Sequence, residues 1–165
     1  MKICVGLLLC INFVFALNFD FVQAKLDKFT IQGFEKKIVY KNKHHRDEQI
    51  AKLWEKFLTS KTLNLKLAED DKIYVFYTNY KANSFDCFIG IESKIDINNF
   101  EKRVIKKSSY KKAIIKYSNK INMSELWDDI QKQKIKRDFK QDLEIYNVND
   151  ISKRTFFLNI YLSIK

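Results

Sequence analysis

RDEQIAKLWEKFL, residues 46–58, and NMSELWDDIQKQKI, residues 122–135, share a Leu-Trp-acid core: Leu53-Trp54-Glu55 in one, Leu126-Trp127-Asp128 in the other. Apolar residues recur at helical spacing in both, as Ile50, Leu53, Trp54, Phe57 and Leu58 and as Met123, Leu126, Trp127 and Ile130. Two amphipathic helices are predicted. Asp47 and Glu48 suit the positive end of a helix dipole, which places the start of the first helix beside them.

Outward from each helix the pattern repeats. One segment rich in aromatic and β-branched residues precedes it, KFTIQGFEKKIVY (28–40) or SYKKAIIKYS (109–118). Two more follow it, KIYVFYTNY (72–80) and SFDCFIGIES (84–93) in the first half, QDLEIYNV (141–148) and TFFLNIYLSIK (155–165) in the second. The order β-α-β-β thus occurs twice without a proline- or glycine-rich linker, which predicts an internal duplication fused into one domain with approximate two-fold symmetry. In this alignment Tyr146 matches Tyr77, and Glu144 matches Val75. Along the last strand Phe156, Leu158, Ile160, Leu162 and Ile164 alternate with Phe157, Asn159, Tyr161 and Ser163. One face should therefore meet the helices, leaving the amphipathic face to line a pocket.

A chain of 165 residues, 46% hydrophobic and with no proline, fits one globular domain and is too short for a ligand sensor beside a separate DNA-binding domain. Its net charge of +11 attracts nucleic acid or anionic lipid without naming a partner. The basic runs RVIKKSSYKK (103–112) and QKQKIKRDFK (131–140) read as solvated faces, and no specific nucleic-acid partner is expected.

At the N-terminus, Lys2 precedes the apolar run ICVGLLLCINFVFAL (3–17), which has the length of a signal-peptide core and falls short of the ~20 residues that span a bilayer. Small-residue cleavage signals end at Ala16 and Ala24. The second gives the expected division into a leader, 1–24, and a domain, 25–165, that is periplasmic or secreted and has no membrane span once mature. A buried N-terminal strand or helix is the structural alternative, and a misassigned start codon would make the protein cytoplasmic. Cleavage would remove Cys4 and Cys10, leaving Cys87 with no internal disulfide partner. Cys87 falls in the apolar series Phe85, Cys87, Ile89, Ile91 and reads as an inert buried thiol. His44 and His45 lie together in a polar stretch and read as loop histidines, so neither a metal nor a haem is expected, and no other cofactor. No phosphate-binding glycine loop or nucleophile-elbow serine is present.

Glu144 stands apart. It lies between Leu143 and Ile145, so strand alternation turns its carboxylate to the opposite face, shared with Tyr146. If that face is a cleft, desolvation raises its pKa, and an unpaired buried carboxylate favours a positively charged ligand. Flanking aromatic rings add cation–π attraction of roughly 0.5–2 kcal/mol each. The alternative is an exposed carboxylate paired to one of many lysines.

The series LDKFTIQGF (26–34), IAKLWEKF (50–57), YVFYTNY (74–80) with FIGIES (88–93), YKKAIIKYS (110–118) and ELWDDI (125–130) with KRDFKQDLEIY (136–146) resembles the GyrI-like family, the AraC-type or bacterial transcription activator effector-binding domains, in the family's order from Lys25 to Lys165. The resemblance implies an α+β fold, in which duplicated β-α-β-β units form a curved antiparallel sheet backed by two helices, with a central ligand cleft, as in SOUL proteins. It also implies a small molecule bound in that cleft, and with Glu144 the expected function is a stand-alone binding protein for an amphipathic organic ligand, cationic if Glu144 is sheltered. Glu144 matches the family's pocket glutamate, and Tyr77, Trp127 and Tyr146 its neighbouring aromatics. Two alternatives come with it: a hydrolase of small reactive compounds with Glu144 as general acid or base, and a gyrase-modulator-like protein-interaction role. The expected leader, and the expectation of no attached DNA-binding region, set this reading apart from the family's transcription regulators.

Overall fold

The structure, a computed structural model, describes residues 19–60, 68–118, 122–150 and 153–165. Among the described residues eight strands and two helices follow one another as β1 (Val22–Leu26), β2 (Phe29–Val39), α1 (Lys43–Leu58), β3 (Lys72–Lys81), β4 (Ser84–Glu92), β5 (Glu101–Ile105), β6 (Ser108–Ser118), α2 (Met123–Lys132), β7 (Arg137–Asn147) and β8 (Thr155–Ile164). The expected α+β fold is present, a single curved antiparallel sheet with two helices. Each β-α-β-β unit gains one short strand in front, so the repeating unit is ββαββ.

The sheet order is β1-β6-β8-β7-β3-β4-β2-β5. Exchanging each strand of the first half for its counterpart in the second reverses this order and reproduces it. The symmetry axis therefore runs between β3 and β7. There Val75 pairs with Glu144, the two residues that the repeat alignment matches to each other, so the axis passes through that pair. The leading strands cross over: β1 pairs with β6 of the second half, and β5 with β2 of the first. Where β2 serves both β4 and β5, Gly33 faces Gly90, and a Cβ built on Gly33 would lie 1.9 Å from the Ile89 carbonyl oxygen. Only glycine allows the two backbones that approach.

Asn42 caps α1 by accepting a hydrogen bond from the His45 amide at 2.9 Å, and Asn122 caps α2 through the Ser124 amide at 2.8 Å. The cap at Asn42 starts α1 earlier than its acidic residues predict, and the first turn holds no Asp or Glu. His44 and His45 are consequently helical, correcting their placement in a loop. Leu53 and Phe57 are buried as expected, whereas Leu58, at the last turn, is exposed. On α2, Leu126 and Ile130 are buried, while Met123 and Trp127 are half-buried.

Two apolar clusters form on opposite faces of the sheet. The larger joins Ile73, Val75, Cys87, Ile89, Leu158, Ile160 and Leu162 to the helical residues Leu53, Phe57, Leu126 and Ile130. The smaller gathers Ile31, Tyr74, Phe76, Phe88, Tyr110, Leu143 and Tyr161 on the face opposite α1 and α2. Cys87 is buried as expected, and burial pushes its thiol pKa well up, which disfavours the reactive thiolate. The basic run 103–112 lies mostly in β5 and β6, and the run 131–140 ends inside β7.

Residues 1–18, which carry most of the expected leader, lie outside the described residues. Val22, Gln23 and Ala24, on the leader side of the 24/25 boundary, belong to β1 and pair with Lys112, Lys111 and Tyr110. Among the described residues no helix is long and apolar enough to cross a membrane.

Candidate functional site

Glu144 is only 2% exposed. Strand alternation along β7 puts it on the helix-bearing face with Asp142 and Tyr146, while Leu143 and Ile145 turn to the other cluster. Three side chains donate to its carboxylate. The Tyr77 hydroxyl reaches Oε1 at 3.0 Å, the Trp127 indole N–H donates to the same oxygen, and the Tyr146 hydroxyl reaches Oε2 at 2.7 Å. The structure brings Glu144, Tyr77, Trp127 and Tyr146 together around one carboxylate.

The duplication explains this cage. Tyr77 and Tyr146 are repeat counterparts and approach the axial carboxylate from its two sides. Each is backed by the tryptophan of the other half, with Trp127 edge-on to Tyr77 at 5.6 Å and Trp54 edge-on to Tyr146 at 5.2 Å between ring centroids. Trp54 is thus part of the site, although only the Leu-Trp-acid repeat pointed to it.

All three donors are neutral. Burial pushes the Glu144 carboxyl above its ordinary pKa, against the downward pull of the hydrogen bonds from Tyr146, Trp127 and Tyr77. No cationic side chain enters that balance. The same burial, with the adjacent carboxylate, drives both tyrosines well up, so they stay protonated and remain donors.

A cavity of about 950 Å³ opens beside this cage. Ile50 and Trp54 of α1 and Met123 and Trp127 of α2 form walls, while Tyr77, Glu144 and Tyr146 form the floor. Cavity and helices therefore occupy the same face of the sheet. This corrects the expectation that the pocket lies across the sheet from the helices: alternation tells which residues share a face, not which face the helices leave partly uncovered. The amphipathic face of β8 does contribute Asn159 and Tyr161 to a smaller hollow of about 390 Å³ on the other side. Lys43 pairs with Asp128 at 2.8 Å, and an Arg46 guanidinium N–H donates to Ser124 Oγ, tying α1 to α2 at one end of the main cleft.

A second charged group was not foreseen. Arg137 lines the cavity with its side chain 6% exposed and pairs with Asp142, itself fully buried. Asp142 also accepts from the Tyr80 hydroxyl at 2.6 Å and the Ser163 amide at 2.9 Å. The pairing of β7 with β8 shifts register between Arg137 and Asp142, and within that bulge Phe139 has φ 55°. Among the described residues no group of three His, Cys, Asp or Glu side chains could hold a metal ion.

The family model of integron-associated effector-binding proteins matches residues 24–164. No curated protein matches the chain significantly. Among solved structures, an integron cassette protein from the mobile metagenome of Vibrio cholerae superposes with a TM-score of 0.67 at 19% identity, over 90% of this chain and 100% of the other. A bacterial transcription regulation protein from Staphylococcus aureus MU50 gives 0.66 at 17% identity, over 90% and 99%. SAV2435, solved with tetraphenylphosphonium bound, gives 0.64 at 16% identity, over 88% and 94%. At these identities the structures share the fold.

Proposed function

The chain belongs to the integron-associated effector-binding proteins, and on that premise we propose that it captures an amphipathic organic cation in the aromatic cleft, with Glu144 as the charge that holds it. One observation carries the reading: a carboxylate with 2% exposure faces a large cavity and is met by three neutral donors and no cation. A buried charge is costly until it is paired. A ligand cation supplies the missing partner, and Trp54, Trp127, Tyr77 and Tyr146 offer π-faces and edges around it. The lipophilic cation bound to SAV2435, a protein of the same fold, is of this chemical class.

The test is thermal unfolding with tetraphenylphosphonium. Saturation at a hundred times Kd stabilises a protein by about 2.7 kcal/mol. For a chain of this size that is a rise in Tm of about 5–10 °C. In Glu144→Gln, which keeps the shape and removes the charge, most of that rise should vanish. An equal rise in the variant refutes the charge-holding role, and steady disappearance of a reactive substrate catalysed by the protein would support the hydrolase alternative.

Export belongs to the same proposal. Its support is the apolar run 3–17. Cleavage after Ala16 keeps β1 whole, whereas cleavage after Ala24 removes three of its five residues. N-terminal sequencing of protein from its host distinguishes the two, and a chain that begins at Met1 would remove the export reading.

A further inference from the structure

The cleft is lopsided although the fold is not. Among the described residues it extends beyond the axial cage along the helices, to Arg46 and Ser124, and at the sheet toward Tyr80, Lys81, Phe85, Arg137 and Phe139. Val75 pairs with Ile89 and Glu144 with Ile160, which makes Phe156 the counterpart of Phe85. Phe156, however, packs on Tyr117 at 4.9 Å and Tyr146 at 5.9 Å and lines no part of the cavity. The ligand volume therefore runs from the axis into one lobe.

That lobe has the opposite electrical character to the floor. Arg137 uses one terminal nitrogen on Asp142 and leaves its Nε–H buried with no partner. An unmet donor on a charged group is expensive, and native structures retain few of them. Two rings lie over the guanidinium, Trp127 with its centroid 5.8 Å away and, closer, Phe139 at 4.3 Å. Phe139 is 52% exposed and holds a left-handed backbone that bulky residues rarely adopt. A ring held at that cost and still half in water is a cover that an incoming group can displace. Lys81 on the rim is exposed and has no ion-pair partner among the described residues.

We propose that the ligand carries, besides its cationic centre, a hydrogen-bond acceptor, in the strongest case a carboxylate, that Arg137 and Lys81 receive in the off-axis lobe. The proposal rests on the reading of Glu144 as the cation anchor. It narrows the ligand class from lipophilic cations to cations with an acceptor at the far end, spaced so that opposite charges meet opposite ends of one cleft.

Two probes of equal length test it: a triphenylphosphonium with a pentyl chain and one whose chain of four carbons ends in a carboxylate. Calorimetric titration of the full chain should show the carboxylate probe binding about tenfold tighter, as a charge-assisted hydrogen bond predicts. Arg137→Lys keeps a cation for Asp142 and removes the Nε–H, and Lys81→Met removes a solvent-exposed charge. Each should shrink the ratio of the two affinities, with the pentyl probe serving as the reference for any general loss of binding in the same variant. Equal affinities of wild-type protein for the two probes, or an undiminished advantage in both variants, overturn the proposal. Glu144→Gln separates the two levels. If it weakens both probes while wild type does not discriminate between them, only the acceptor proposal falls; if it weakens neither, the anchor reading falls and takes this one with it.

Discussion

Asp142 and Glu144 stand two residues apart on one face of β7, both buried, and the chain treats them in opposite ways. Asp142 has its own cation, Arg137, together with the Tyr80 hydroxyl and a backbone amide. Glu144 has two tyrosines and a tryptophan, all neutral. A carboxylate with its own cation is structure, because removing either half of the pair strands the other in a poor solvent. A carboxylate stabilised only by neutral donors is held in place with its charge unbalanced, which is the state a binding site needs before its ligand arrives. The comparison separates a buried charge that serves the fold from one that waits for a guest.

The largest effect should come from breaking the first site. Arg137→Met leaves Asp142 buried without its cation and should cost about 3–5 kcal/mol in urea unfolding. Adding Asp142→Asn should recover much of the loss. If Arg137→Met costs no more than a surface substitution, the structural role assigned to the pair is wrong.

Acidity sharpens the second site. The cation binds the ionised form of Glu144, so protons compete with it, and affinity for tetraphenylphosphonium should fall tenfold, about 1.4 kcal/mol, for each pH unit below the carboxyl pKa. Because burial lifts that pKa, the fall should begin above the range of an exposed glutamate. A pH-independent affinity, measured for a permanent cation, contradicts the anchor.

Tyr146→Phe removes one donor and keeps the ring, a loss of about 1 kcal/mol in stability. It should also move the onset of the acid effect to higher pH, since one of the bonds holding the pKa down is gone.

The smallest effect is the most diagnostic in sign. A carboxyl whose folded pKa is raised contributes stability when protonated, fully present below its unfolded pKa and lost as pH rises through the folded value. Without ligand, Glu144→Gln should therefore unfold at a slightly higher temperature than wild type at neutral pH, and the gain should disappear on acidification. Asp142→Asn alone should show the reverse sign at neutral pH, because it strands Arg137.

Much of this was legible in the residues. The shared Leu-Trp-acid core and the twofold β-α-β-β order identify the duplication, and the same alignment makes Glu144 the counterpart of Val75, two positions that the sheet then pairs across the axis. Period-two reasoning along QDLEIYNV gives the right face for Glu144. The arms β1 and β5 escaped because VQAKL and EKRVI are five residues long, are partly charged and find their partners across the halves, so nothing local marks them. Arg137 sits in a basic run that reads as solvated surface. It turns inward only through the bulge at Phe139, a backbone event without a glycine to announce it. The start of α1 was misread because the charge pattern pointed to Asp47 and Glu48, while Asn42 set the boundary.

The axis through Val75 and Glu144 has an ancestral corollary. Two separate copies of one half, associated in the same way, would present identical residues to each other at that point: a pair of glutamates repelling at close range, or a pair of valines offering no charge. Joining the copies into a single polypeptide lets the two positions diverge, so that one negative charge can occupy the centre with mirrored tyrosines around it. A solitary acid on a two-fold axis is an arrangement closed to two identical copies and open to a chain whose halves have diverged.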